Sequence, residues 1–127
     1  MSSKLDVCLV ESGITGSDIN QNLENIYNKL KNLINTDLIV LPETFDTGFN
    51  FPPKNIYDFK NNPSILWMKT LAREKQCAIC GSLMVKENDN IFNRFVFYDN
   101  VKDIIHTYDK LHLSVSYTHL RAHETES

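Results

Sequence analysis

Cysteine is scarce in this chain: only three of its 127 residues are cysteines, namely Cys8, Cys77 and Cys80. An odd number of cysteines in apolar surroundings excludes a disulfide framework as the main support of the fold and predicts reduced thiols. The chain has the length of a single domain, and 42% of its residues are hydrophobic. It therefore has enough apolar material to form a core without covalent cross-links.

Clusters of basic residues and long apolar runs are also missing from the sequence. The 13 Lys and Arg residues are scattered among 16 Asp and Glu residues, and the formal net charge is -3. This pattern excludes nucleic acid as a partner. The first apolar run, at residues 7–10, is too short for the core of a signal peptide or for a membrane span. We therefore expect a cytoplasmic protein with no membrane partner.

Short apolar runs bounded by turn-forming residues predict five strands. The first of them has the profile of a strand that is covered on both faces. A turn over residues 88–90 joins the third strand to the fourth. The predicted strands lie at residues 5–10, 38–41, 77–85, 91–98 and 103–108.

Two helices are predicted between the first three strands. Apolar residues spaced three and four apart predict a helix from Ile19 to Ile34, with Ser17 or Asp18 as its N-cap. A second helix begins at the pair "NP" at residues 62–63, after a long loop. Strand, helix, strand, helix and a meander together predict an α/β class with a mixed sheet.

Two charged residues follow predicted strands at positions suited to chemistry. Glu43 comes after the apolar run "LIVLP", and Lys110, in "YDKLHL", comes after the fifth strand. Open α/β sheets place their sites at the carboxyl ends of strands, and if these two strands lie near each other and run the same way, acid and amine share one site. The alternative is that Glu43 is a cap and Lys110 an ordinary surface lysine. His106 and His112 flank Lys110, and we expect them to pack and hydrogen-bond near it.

Three motifs carry a family resemblance. In their order and separations, "LPETFDTGF", "GSLMV" followed by "NRFVFYD", and "HTYDKLHL" resemble the carbon-nitrogen hydrolase (nitrilase) superfamily. The string "PETFDTGF" is similar to the omega-amidase-like branch, and the resemblance covers residues 5–113. It implies the N-terminal part of an αββα sandwich, with both helices on one face of a mixed sheet and the other, apolar face uncovered.

The resemblance also implies roles for the two charged residues. Family members use a Glu, Lys and Cys triad, in which Glu43 matches the general base that accepts the thiol proton and Lys110 matches the cation that stabilises the tetrahedral oxyanion. A thiol is little ionised at neutral pH and needs such a base, and a fixed cation stabilises the charge that develops on oxygen. The implied reaction hydrolyses a small-molecule omega-amide through a Cys thioester, without metal or organic cofactor, in a homodimeric full-length protein.

The nucleophile of the family is missing from this sequence. In the family it lies beyond the lysine, at the end of a further strand, and none of the three cysteines matches that position. After residue 113 the family pattern stops, and "SVSYTHLRAHETES" resembles translated adaptor sequence. We therefore expect residues 1–113 to be a truncated hydrolase domain, residues 114–127 to be a non-native tail, and the 127-residue chain to be inactive.

Three other readings of the sequence stay open. In the first, the chain is a non-catalytic remnant or binding module of the same fold. In the second, it is a thiol redox protein that uses Cys77 and Cys80. A redox motif opens a helix, whereas these two residues continue into an apolar strand, on which positions three apart point to opposite faces. In the tail, His119 and His123 are spaced to share a metal ion on a helix face, although no third ligand accompanies them.

Overall fold

A computed structural model describes residues 4–11, 16, 18–48 and 56–114 of the chain. The described elements form a single mixed sheet of five strands with two helices. In chain order they are β1 (Val7–Leu9), α1 (Ile19–Leu30), β2 (Leu38–Val40), α2 (Pro63–Lys75), β3 (Ala78–Glu87), β4 (Asn90–Asp99) and β5 (Ile104–Ser114).

The strands lie in the sheet in their chain order, β1-β2-β3-β4-β5. β1, β2 and β3 pair in parallel, whereas β3, β4 and β5 form an antiparallel meander. Neighbouring parallel strands must be joined by a crossover connection, and α1 and α2 supply the crossovers between β1, β2 and β3. The predicted α/β class with a mixed sheet is confirmed.

Both helices begin at residues whose side chains cap them. Asp18 accepts a hydrogen bond from the backbone N–H of Gln21 at 3.1 Å and so caps α1. Asn62 Oδ1 accepts from the backbone N–H groups of Ser64 and Ile65, and Pro63 occupies the first turn of α2. The predicted starts of both helices are correct, because capping depends on residues next to each other in sequence.

α1 ends four residues earlier than its apolar stripe predicts. The helix stops at Leu30, and Ile34 is 76% exposed. Lys75 of α2 donates through Nζ to the carbonyl oxygens of Lys31 at 2.8 Å and Leu33 at 3.2 Å. These carbonyls lie just beyond the helix end, where no intrahelical donor is available, so the lysine satisfies them and fixes the turn.

The helices cover one face of the sheet. Ile39, Ile79, Leu83, Val96 and Tyr98 are fully buried in one core together with apolar residues of α1 and α2. The prediction that both helices lie on one face is confirmed.

Neither helix has the length and apolarity needed to cross a bilayer.

The opposite face of the sheet exposes apolar side chains on its two outer strands, β1 and β5, in the described part of the chain. Side chains alternate along a strand, so the residues next to the buried positions point away from the helices. On this face Val7 and Leu9 of β1 are 45% and 64% exposed, and Tyr108 and Leu111 of β5 are 69% and 48% exposed. The prediction that β1 is covered on both faces is therefore wrong, because the helices pack on one face of the sheet only and Val7 and Leu9 point to the other.

Candidate active site

Glu43 lies in a tight turn that follows β2. The backbone N–H of Leu41 donates to the carbonyl oxygen of Cys80 at 2.8 Å, so the chain continues alongside β3 beyond the end of β2. At the turn, the backbone N–H of Thr44 donates to Ser82 Oγ at 3.2 Å and that of Phe45 to the Ser82 carbonyl at 3.3 Å. The turn is thereby fixed to β3, and it presents Glu43 toward β4 and β5.

Gly81 makes room for this turn. A Cβ atom at Gly81 would lie 2.9 Å from Cβ of Leu41, closer than real Cβ atoms approach other atoms, and 3.1 Å from Cδ1 of Phe45, tighter than most such contacts. The Phe45 ring is fully buried and stacks on Trp67 of α2 at a centroid distance of 6.0 Å. The absence of a side chain on β3 therefore lets the turn pack between the sheet and α2.

Asp46 ties the same turn to both helices. Its backbone carbonyl accepts from Asn22 Nδ2 of α1 at 2.8 Å, and its Oδ2 accepts from Ser64 Oγ of α2 at 2.7 Å. Its Oδ1 is buried and has no hydrogen-bond partner among the described residues. Burial raises the pKa of the Asp46 carboxyl, although the hydrogen bond from Ser64 opposes that shift.

Lys110 lies inside β5, whereas the sequence predicts it after the fifth strand. Asn93 of β4 pairs with Leu111, but the next residue, Arg94, pairs with Asp109, so Lys110 is the extra residue of a β-bulge. A bulge bends a strand and re-aims the side chain of its extra residue. The prediction of a strand that ends before Lys110 is wrong, because the pairing with β4 carries β5 to Ser114.

A buried arginine with two partly exposed carboxylate partners holds the strand at the bulge. The Arg94 guanidinium contacts both carboxylate oxygens of Asp109, through Nε to Oδ1 and through Nη2 to Oδ2 at 3.1 Å, and it contacts Glu87 Oε1 at 3.0 Å. It also lies over the rings of Phe59 and Phe92, 4.7 and 4.9 Å from their centroids. The Asp109 carboxylate, hydrogen-bonded to the guanidinium, raises the pKa of Arg94 above its ordinary value, so Arg94 stays charged.

Glu43 and Lys110 are in direct contact. Lys110 Nζ lies 3.1 Å from Glu43 Oε1, and their side chains are 41% and 45% exposed. Asn93 Nδ2 donates to the same Oε1 at 3.2 Å. The predicted proximity of the acid and the amine is thus present, while their catalytic roles stay predictions. Sequence reasoning missed Asn93, although two adjacent polar residues within the apolar run "IFNRFVFY" mark its position.

Residues 9–127 match the sequence profile of the carbon-nitrogen hydrolase family. The chain belongs to this family. The family is described as one of hydrolases, and the described fold agrees with that of its solved members.

Curated relatives of this carbon-nitrogen hydrolase are considerably longer than the chain. It is 34% identical over 90 residues to a protein of Staphylococcus lugdunensis named "Hydrolase in agr operon", a match that covers 69% of this chain and 36% of the relative. It is 28% identical over 109 residues to the omega-amidase YafV of Escherichia coli K12, which covers 86% of this chain and 42% of the relative. The chain thus spans about two-fifths of the length of these relatives.

Solved structures share the fold of this carbon-nitrogen hydrolase. A CN-hydrolase superfamily protein of Xanthomonas campestris, solved with an arsenic adduct in its active site, is 29% identical with a TM-score of 0.77, over 84% of this chain and 40% of that one. Nit3 of Saccharomyces cerevisiae, from branch 10 of the nitrilase superfamily, has a TM-score of 0.71 at 22% identity, over 85% and 44% of the two chains. The likeness to Nit3 supports the fold alone.

Two of the three thiols of this carbon-nitrogen hydrolase, Cys77 and Cys80, lack the character of reactive cysteines. Cys77 and Cys80 are buried free thiols, and Cys8 is half-buried. Burial raises the pKa of Cys77 and of Cys80, which disfavours the thiolate. A redox or nucleophilic thiol needs the opposite shift.

The histidines of the described segments take part in ring packing. The His112 ring stacks on Phe92 at a centroid distance of 4.8 Å, and the His106 ring is tilted against Phe97 at 6.2 Å. Within residues 4–11, 16, 18–48 and 56–114 no group of three His, Cys, Asp or Glu residues is arranged to hold a metal ion. His119 and His123, the predicted metal pair, lie outside the described residues.

Proposed function

We propose that this chain carries two of the three catalytic groups of an omega-amidase-like amidohydrolase, with Glu43 as the general base and Lys110 as the cation that stabilises the oxyanion. The observation that carries the proposal is the 3.1 Å contact between Glu43 Oε1 and Lys110 Nζ. A base and a cation that act on one reacting atom must lie near each other. Strands β3 and β4 separate the strands that carry these residues, so the contact depends on the turn after β2 and on the bulge in β5.

The chemistry begins when Glu43 takes the proton from a cysteine thiol. The sulfur then bonds to the amide carbon, and the carbonyl oxygen becomes an oxyanion stabilised by the ammonium group of Lys110. The C–N bond breaks, and ammonia leaves with the proton that Glu43 returns. Water next gives a proton to Glu43 and attacks the thioester; the C–S bond breaks, the acid is released, and Glu43 passes the proton to the sulfur, which restores the thiol.

The proposal places the nucleophilic cysteine outside this chain. Burial raises the pKa of Cys77 and Cys80, so neither thiol suits a nucleophilic role. Cys8 lies in the edge strand β1, at the far side of the sheet from β5. The relatives extend over more than twice the matched length, which leaves ample sequence for a further strand and its cysteine.

The proposed substrates are small omega-amides of dicarboxylic or 2-oxo dicarboxylic acids. Two observations support this class: the motif "PETFDTGF" around Glu43, and the identity of 28% to an omega-amidase over 86% of the chain.

We further propose a cytoplasmic, homodimeric full-length protein. The hydrolase domain of this chain is proposed to end at residue 113, before a non-native tail at 114–127; the family match itself continues to residue 127.

The test uses the full-length protein encoded by the genomic reading frame that contains residues 1–113. It should release ammonia from omega-monoamides of dicarboxylic acids, in the presence or absence of metal chelators. The substitutions Glu43→Gln and Lys110→Met should each lower kcat by about 10²- to 10⁴-fold, the usual contribution of a general base or an oxyanion donor. Lys102→Met is the matched control, since Lys102 is an exposed lysine in the turn between β4 and β5, and it should leave kcat unchanged.

Two results would overturn the proposal. Normal turnover by the Glu43→Gln protein would remove Glu43 from the mechanism. Robust ammonia release by the purified 127-residue chain, after alkylation of its three cysteines, would contradict a nucleophile outside this chain.

A further inference from the structure

Asn93 is a buried polar residue that touches the candidate base. It lies in the middle of β4, is only 9% exposed, and donates through Nδ2 to Glu43 Oε1 at 3.2 Å. Lys110 Nζ contacts the same oxygen at 3.1 Å. Glu43 Oε2 accepts no hydrogen bond from any described residue.

Two donors on one carboxylate oxygen fix the orientation of the whole group. The terminal torsion of a glutamate is broad and roughly two-fold, so a carboxylate held by one contact still rotates. A second donor from a different strand removes that freedom, and it leaves the lone pairs of the other oxygen available for a proton. A general base must present its accepting oxygen within hydrogen-bond reach of the proton that it takes.

We propose that Asn93 is a positioning residue for the reaction: together with Lys110 it anchors Oε1 of Glu43, so that Oε2 is the oxygen that accepts the thiol proton. This proposal rests on the proposed function, in which Glu43 is the base. An amide suits the task because it donates a hydrogen bond without adding charge beside the oxyanion site and without supplying a proton of its own.

Asn93 stays in this position at the expense of stability. Its Oδ1 is buried and has no hydrogen-bond partner among the described residues. A buried amide oxygen without a partner destabilises a fold, and natural proteins retain such groups at functional sites. A residue that served the fold alone would show the opposite pattern, with both halves of its amide satisfied.

The test is the substitution Asn93→Leu in the full-length protein, which keeps the shape of the side chain and removes both polar atoms. The expected kcat for an omega-monoamide is about 10- to 100-fold lower, because the base is no longer aligned, while KM changes little. The midpoint of urea unfolding should stay the same or rise, because the unpartnered oxygen is gone. The matched control is Asn90→Leu on the same strand; Asn90 donates to the carbonyl of Asn88 and has no contact with Glu43, so kcat should not change.

A second variant, Asn93→Asp, tests the donor directly. It has the same shape but places an acceptor against the Glu43 carboxylate, so kcat should fall at least as far as in Asn93→Leu. Suppose that the separate Glu43→Gln protein is inactive but Asn93→Leu or Asn93→Asp has the kcat of the unmodified protein. That result overturns the positioning role of Asn93 and leaves the proposed function intact. If Glu43→Gln itself turns over normally, the proposed function is the one that fails.

Discussion

Arg94 and Asp109 face each other across the bulge that presents Lys110. Their side chains form two parallel contacts, and the Arg94 side chain is only 7% exposed, whereas Asp109 is 39% exposed. Since Asp109 immediately precedes Lys110, this pair fixes the backbone from which Lys110 reaches Glu43. Adjacent residues of β4 thus serve the two candidate catalytic groups: Asn93 contacts Glu43, and Arg94 supports Lys110.

The first prediction is that Arg94→Met destabilises the fold. The substitution leaves Asp109 and Glu87 without their cation at a partly buried site, so we expect the free energy of unfolding to fall by about 2–4 kcal/mol. Arg73→Met is the matched control, because its ion pair with Asp103 is 58% and 63% exposed, and it should change the free energy of unfolding much less than Arg94→Met does. Urea unfolding of each variant checks both values, and equal losses would contradict a special role for Arg94.

The second prediction concerns the close approach at Gly81. Gly81→Ala places a Cβ atom 2.9 Å from Cβ of Leu41, so the turn that carries Glu43 must move. We expect a loss of about 1–3 kcal/mol in unfolding free energy, as for overpacked cores. In the full-length protein we also expect a fall in kcat. Denaturant unfolding and steady-state kinetics test this prediction. If Gly81→Ala changes neither the free energy of unfolding nor kcat, the turn is not held against β3.

The third prediction is a pH dependence that arises from Asp46. Because burial raises the pKa of its carboxyl in the folded state, the native state binds more protons than the unfolded state between the two pKa values. Stability should therefore be fully present below the unfolded pKa, near 4, and should fall as pH rises through the folded value. Asp46→Asn should reduce this fall, so that the variant gains stability relative to the unmodified chain on going from acid to neutral pH.

Urea midpoints measured at intervals between pH 4 and pH 8 check the effect of Asp46→Asn. Glu24→Gln provides the control, since Glu24 is an exposed carboxylate on α1. A pH profile that Asp46→Asn leaves unchanged would show that Asp46 is not the group responsible.

The fourth prediction separates the hydrolase from a redox protein. Since burial raises the pKa of Cys77 and Cys80, iodoacetamide near neutral pH should modify half-buried Cys8 first and the other two only after unfolding. Tandem mass spectrometry of the tryptic peptides, which locates the modified residue in the peptide that contains both Cys77 and Cys80, measures the three rates. Rapid, reversible formation of a disulfide between Cys77 and Cys80 in the folded chain would support the redox reading instead.

Local signals in the sequence were sufficient for the parts of the fold that neighbouring residues determine. The caps at Asp18 and Asn62 depend on side chains that reach backbone groups two or three positions away. The turn between β3 and β4 is equally local, since Asn88 and Asp89 both adopt positive φ values, 52° and 64°, as a two-residue hairpin requires. Such residues are recognisable without knowledge of the rest of the chain.

The rest of the candidate site depends on pairing that a sequence does not display. The bulge at Lys110 exists because the register between β4 and β5 changes after Asn93, and nothing in "YDKLHL" indicates the register. The exposure of Val7 and Leu9 likewise follows from their position on the face of the sheet that the helices do not cover, which an apolar run does not reveal. Glu43 and Lys110 were singled out by their positions after predicted strands, and the family resemblance implied their roles, but their contact depends on the whole sheet.

The sheet order has a consequence for the order in which the molecule folds. The ladders β3–β4 and β4–β5 close over loops of two and four residues, so their entropic penalty is small and they form early. The contact between Glu43 and Lys110 joins residues 67 positions apart, and it needs both crossovers, the turn over β3 and the bulge. We therefore expect a kinetic delay: a probe that reads this pair, in a refolding experiment, reports the last step of assembly, after the hairpins have already formed.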